Sequence, residues 1–119
     1  MLLMRWLSAD ESVANFEEGI GRMMNNRSFY VRLLTKFMAS DSMEKLIASV
    51  AEGDPVKIAA EAHTLKGVAS NLGLTALANS SASLDNAMRD GKIELKEELL
   101  AKVEECYFTT IAAITEFIK

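Results

Sequence analysis

GDPVKIAAEAHTLKGVASNLG, residues 53–73, is the stretch on which the fold turns. Asp54 can cap a helix, and Pro55 suits its first position, where a missing N–H goes unneeded. Ile58, Ala62, Leu65, Ala69 and Leu72 then recur at spacings of three and four, which makes one apolar stripe along a helix. Gly73 is placed to close it in a left-handed cap. The stretch predicts a single amphipathic helix from Pro55 to Leu72 that buries one face.

Working outward, the same punctuation recurs. Upstream, Ser8 followed three residues later by Glu11 has the pattern of a capping box. After it, Val13, Phe16, Ile20 and Met23 form an apolar stripe that ends near Asn25 and Asn26. Phe29, Tyr30, Leu33, Leu34, Phe37 and Met38 continue as a second stripe. Residues 39–42 weaken it, and Asp41 with Glu44 can cap a restart carrying Met43, Leu46, Ile47 and Val50. One kinked helix and two abutting ones both fit. Downstream, Leu74, Leu77, Leu84 and Met88 mark a helix closed by Asp90 and Gly91. A last helix runs from about Ile93 with Leu99, Val103, Cys106 or Tyr107, Ile111, Ile114 and Ile118 inward. No stretch alternates with period two for long enough to be a strand. Short connections make neighbours antiparallel. The expectation is an all-α, up-down-up-down four-helix bundle with an additional N-terminal helix.

At 119 residues the chain is long enough for one core and too short for two, so residues 1–119 are expected to be a single domain with 1–7 as an N-terminal extension. Half the residues are hydrophobic and a quarter charged, which excludes a disordered tail. One Pro and six Gly are too few for a turn-rich sandwich. The net charge of −4, with no basic stripe, argues against nucleic acid as a partner. The single Cys cannot form an internal disulfide, which fits a reducing compartment. Met1–Leu7 is apolar but short and interrupted by Arg5, so neither a secretory core nor a membrane span is expected. The protein is expected to be cytoplasmic and monomeric.

The sharpest count is the single histidine. At about 100° per residue, His63 lies about 140° from the centre of its helix's apolar stripe and points away from the core. Val56, Ala59, Ala60, Lys66, Gly67, Ser70 and Asn71 share its face, and most are small. Helical side chains lean toward the N-terminus, so the residue that would cover His63 is Gly67, which has no side chain. A mid-helix glycine costs about 1 kcal/mol relative to alanine. Close approach of another molecule's backbone is a reason to accept that cost. Lys66, one turn on, is a cation suited to negative charge built on the ring. An imidazole that titrates near the ordinary value of about 6.5 offers a lone pair at neutral pH. Such a constellation can accept a phosphoryl group and hold it, but contains nothing to generate one.

Ala62-His63-Thr64-Leu65-Lys66-Gly67, followed by Asn71-Leu72-Gly73, resembles the signature of histidine phosphotransfer (HPt) domains of two-component phosphorelays. The layout from about residue 12 to 118 fits, including the Asp54 turn and the helix bearing Leu84 and Asp85. The resemblance implies a four-helix bundle with an exposed phosphoacceptor, His63. It also implies that Lys66 stabilises the phosphoryl group and that Gly67 admits a receiver domain. Val56, Ala59, Ala60, Ser70 and Asn71 become candidate docking contacts. The implied partners are response-regulator receiver domains and a sensor or hybrid histidine kinase. Mg²⁺ is expected on the receiver, with no cofactor or metal on this chain.

Two other readings use the same residues. One is the phosphoacceptor domain of a chemotaxis-type histidine kinase, charged from ATP by a separate catalytic domain. The other is a helical interaction module without phosphotransfer. A metal site is disfavoured, since one His and one Cys cannot close a coordination shell. Cys106 falls on an apolar stripe and reads as an inert thiol. Glu17-Glu18, Glu97-Glu98 and Glu104-Glu105 are adjacent in sequence and so do not face each other as acid/base pairs. Gly19-Ile20-Gly21 lacks the third glycine of a dinucleotide loop, and no phosphate-binding loop or kinase motif set is present. An independent kinase activity is therefore not expected.

Overall fold

The structure, a computed structural model, describes residues 13–119, which form six α-helices and one short 3-10 turn. They are α1 (Phe16–Arg22), α2 (Arg27–Met38), α3 (Ser42–Glu52), α4 (Pro55–Asn71), α5 (Thr75–Arg89) and α6 (Lys96–Phe117), the 3-10 turn being Ile93–Leu95. Among these residues there is no strand.

The deciding stretch folds as its pattern requires. The Asp54 carboxylate accepts from the Val56 amide at 3.0 Å, and Pro55 occupies the first turn of α4. Gly73, at φ +77°, ends the helix. There the Leu74 amide returns to the Ala69 carbonyl at 2.8 Å and the Gly73 amide to the Ser70 carbonyl at 3.2 Å. These two bonds satisfy carbonyls that a helix end otherwise leaves open. Ile58, Ala62, Leu65, Ala69 and Leu72 are all buried, so the stripe is core.

Helices α3 to α6 close a ring: α4 packs on α5, α5 on α6, α6 on α3 and α3 on α4. With connections of two to six residues, this is the antiparallel four-helix bundle. The α4–α5 pair is packed most extensively, and the candidate site lies on that pair. Leu46, Ile58, Leu65, Leu77, Leu84, Val103 and Ile114 are fully buried at the centre.

Three local outcomes depart from the sequence pattern or resolve it. Residues 29–52 form two helices, because the chain turns at Ala39–Asp41. Asp41 precedes α3 as foreseen, but its side chain makes no cap hydrogen bond and instead pairs with Lys45 at 3.7 Å. The Ser8/Glu11 capping box lies outside the described residues. Within them, α1 starts at Phe16, with Asn15 accepting from the Glu18 amide at 3.0 Å. The last helix begins as a 3-10 turn at Ile93 and becomes α-helical at Lys96.

Helices α1 and α2 strap one end of the bundle. The Asn15 amide donates to the Gly73 carbonyl at 2.7 Å, and the buried Tyr30 hydroxyl donates to the Leu72 carbonyl at 2.5 Å. Arg22 Nη1 donates to the Ser70 carbonyl. Phe16 stacks on Phe117 with ring centroids 4.4 Å apart, and the Arg27 guanidinium lies 4.5 Å from that ring's centroid. The C-terminal turn of α4 is thus held from outside the bundle. Burial pushes the Tyr30 phenol up to about 12, against the pull of Arg22, so it remains a donor at neutral pH.

Candidate functional site

His63 sits midway along α4 and its side chain is 60% exposed. The ring is tethered on one edge. Its Nδ1 lies 3.2 Å from Oδ2 of Asp85 on α5, and Nε of Arg89 donates to the other oxygen, Oδ1, at 2.6 Å. The Asp85 side chain is only 4% exposed. Burial alone would raise its pKa, but the hydrogen bonds and charges of Arg89 and His63 outweigh that and hold the carboxyl below its ordinary value. An ionised carboxylate only accepts, so the neutral ring carries its proton on Nδ1 and its lone pair on Nε2. The arrangement therefore fixes which nitrogen of the neutral ring carries the lone pair.

Beyond that tether the ring is largely exposed. A methyl group built on Gly67 would meet nothing within 4 Å. Among the described residues the glycine is thus not required for packing, and the space it leaves faces outward. Lys66 is half-buried, and among the described residues no carboxylate lies within 4 Å of its ammonium.

The other face residues divide. Val56 is 78% exposed, and Ala60 and Ser70 are exposed as well. Ala59, expected on this face, is 7% exposed and forms the floor of an open depression of about 380 Å³ between α4 and α5. Pro55, Val56, Ala60, Met88 and Arg89 complete its walls. Asn71 is exposed but lines a different hollow, with Leu33, Phe37 and Val68 toward α2. Position along the helix explains the split. Val56, Ala59 and Ala60 border the depression shared with α5, whereas Asn71 lies at the other end of α4, beside α2.

Asp85 and Arg89 were not read from the sequence as site residues. A signal was present. Asp85 falls on the buried stripe of α5 with Leu77, Leu84 and Met88, and Arg89 follows it by four residues. A carboxylate on a core stripe must find a partner. The site offers no metal shell: among the described residues no three His, Cys, Asp or Glu side chains converge. Nor is any described helix long and apolar enough to cross a membrane.

The bundle, the outward imidazole on its second helix and the open glycine one turn on were each legible before any comparison. A search of curated proteins and a search of solved structures each returned no match. The model of the Hpt domain matches residues 32–114, from within α2 to the last turns of α6, and so spans the whole bundle and the His63 site. The chain belongs to the Hpt domain family.

Proposed function

We propose that this chain is a phosphocarrier in which His63 accepts a phosphoryl group from an aspartyl phosphate on one receiver domain and passes it to another. The observation that carries the reading is the exposed ring whose Nδ1 is engaged by Asp85 and whose Nε2 has no hydrogen-bond partner among the described residues. In the step this implies, Nε2 attacks phosphorus in line. The N–P bond forms as the P–O bond to the aspartyl carboxylate breaks, and the Nδ1 proton stays on the ring. Such transfer depends chiefly on positioning and charge compensation. Lys66 supplies charge on this side, and a Mg²⁺ held by the receiver supplies it on the other. Val56, Ala60 and Ser70, exposed along α4 on either side of the ring, serve as docking contacts, and the depression floored by Ala59 takes a side chain of the receiver. The chain has no ATP-dependent step of its own in this scheme.

A single histidine makes the test simple. Incubation with a ³²P-labelled phosphorylated receiver should label the chain, and the label should be lost in acid and kept in alkali, as an N–P bond requires. Acid-stable label, or no label, sinks the proposal.

Gly67 gives a second expectation. Gly67→Ala should raise stability by about 1 kcal/mol, since nothing among the described residues opposes the methyl group. Gly67→Leu should fold as well as wild type, yet lose about tenfold or more in the rate of loading from a phosphorylated receiver. Loading from phosphoramidate, which needs no docked domain, should fall much less. Equal losses with both donors would refute the access role.

A further inference from the structure

Asp85 is more than the tautomer requires. To leave the lone pair on Nε2, a neutral amide at this position would do as well, accepting Nδ1–H through its oxygen. The chain instead keeps a full negative charge 4% exposed, shared between His63 at 3.2 Å and Arg89 at 2.6 Å. A buried charge is expensive to maintain. It repays a neutral imidazole little and a cationic one much. Phosphorylation creates the cationic ring: once Nε2 bonds to phosphorus, a ring that keeps its Nδ1 proton is an imidazolium.

We propose, resting on the phosphocarrier reading, that Asp85 sets the lifetime of phosphorylated His63: its carboxylate keeps the proton on Nδ1, so that the phosphoryl group departs from a neutral imidazole. As an acceptor's aspartate oxygen bonds to phosphorus, the Nε2–P bond breaks and its electron pair returns to Nε2. The Nδ1 proton does not move. Without that proton the leaving group would be an imidazolate, a much stronger base that leaves slowly. When water is the nucleophile, the same cleavage yields inorganic phosphate and the water proton goes to solvent. Arg89 is a positioning residue here: its guanidinium holds the carboxylate in place from the far oxygen. Lys66, three residues on along α4, is a further charged group on His63's own helix.

The test uses the full chain and no partner. Phosphoramidate loads His63, forming the N–P bond with loss of ammonia. The donor is then removed, and the decay of the phosphohistidine is followed by ³¹P NMR at pH 8. Asp85→Asn keeps the size and an accepting oxygen but removes the charge; its phosphohistidine should last about threefold to tenfold longer than wild type, the span expected when a neighbouring charge no longer holds a ring proton. Asp85→Glu restores the charge and should return the half-life to within about twofold of wild type. Imidazole ¹⁵N spectra of unphosphorylated Asp85→Asn should still show the Nδ1–H tautomer, which separates the charge from the hydrogen bond. Asp85→Gln repeats the test with a longer neutral side chain should Asp85→Asn fold poorly. A half-life in the neutral variants equal to or shorter than wild type overturns the inference while leaving the relay reading intact. Failure of the wild type to load at all removes the relay reading, and this inference with it.

Discussion

His63→Gln should reduce phosphoryl uptake to background, from phosphorylated receiver and from phosphoramidate alike, while the melting temperature stays within a few degrees of wild type. The first half follows from covalency. The proposed intermediate is an N–P bond on imidazole, a glutamine amide nitrogen has no available lone pair, and the chain has no second histidine to substitute. The second half follows from position. His63 lies outside the apolar stripe with its side chain 60% exposed, so truncating the ring opens no cavity. The buried neighbour at risk is Asp85, which would lose one of two partners. It keeps Arg89 at 2.6 Å, and the glutamine amide can donate to the vacated oxygen. Uptake is measured by label, folding by thermal melt on the same sample. Residual labelling of His63→Gln above background would place the acceptor elsewhere. Loss of fold would mean that the imidazole–carboxylate contact carries structure, contrary to its exposure.

The sequence made the bundle and the outward direction of His63 legible for the same reason: both are written as spacing along single helices. The stripe on α4 fixes what is buried, and with it the direction in which His63 points. Gly67 could be read as an opening because a missing side chain one turn away acts locally, and the structure leaves that space free. Contacts between helices were harder. The His63–Asp85 pair joins residues 22 apart on two helices, and its register depends on how α4 and α5 pack, which neither pattern states. Ala59 shows the same limit from the other side. Its angle on α4 puts it near His63, but it is buried at the floor of the depression that Met88 and Arg89 of α5 help to wall. The break between α2 and α3 stayed open because Ala39–Asp41 carries neither Gly nor Pro to force it. The strap formed by α1 and α2 was not foreseen either: Phe16 and Tyr30 lie on apolar stripes, but periodicity does not say that they meet Phe117 and the Leu72 carbonyl, residues far along the chain.

That strap leads to the largest expected effect on stability. Gly73→Ala should destabilise the chain by about 3 kcal/mol or more, lowering the melting temperature by roughly 10 °C. Two costs combine. Gly73 sits at φ +77°, a left-handed conformation that costs an L-residue about 1–2 kcal/mol. The added methyl group would also overlap the Asn15 carbonyl oxygen and press on the Gly19 amide at 3.1 Å. Relief would require α1 to move off the end of α4. That movement would strain the Asn15-to-Gly73 hydrogen bond and the neighbouring Tyr30 hydroxyl on Leu72. Gly91→Ala separates the terms. Gly91 has φ +78° but nothing within 4 Å of the position a methyl group would take, so only the conformational cost of about 1–2 kcal/mol remains. Equal melting shifts for the two variants would show that the strap yields freely and contributes little. The site itself should be indifferent. Gly73 is ten residues from His63, about 15 Å along the helix, and the Asp85 tether reaches the ring from α5 instead of from α1. Well below its melting temperature, Gly73→Ala should therefore load phosphate from phosphoramidate at the wild-type rate. A slowed rate in the folded variant would mean that the strap sets the geometry of α4 as far up as the imidazole.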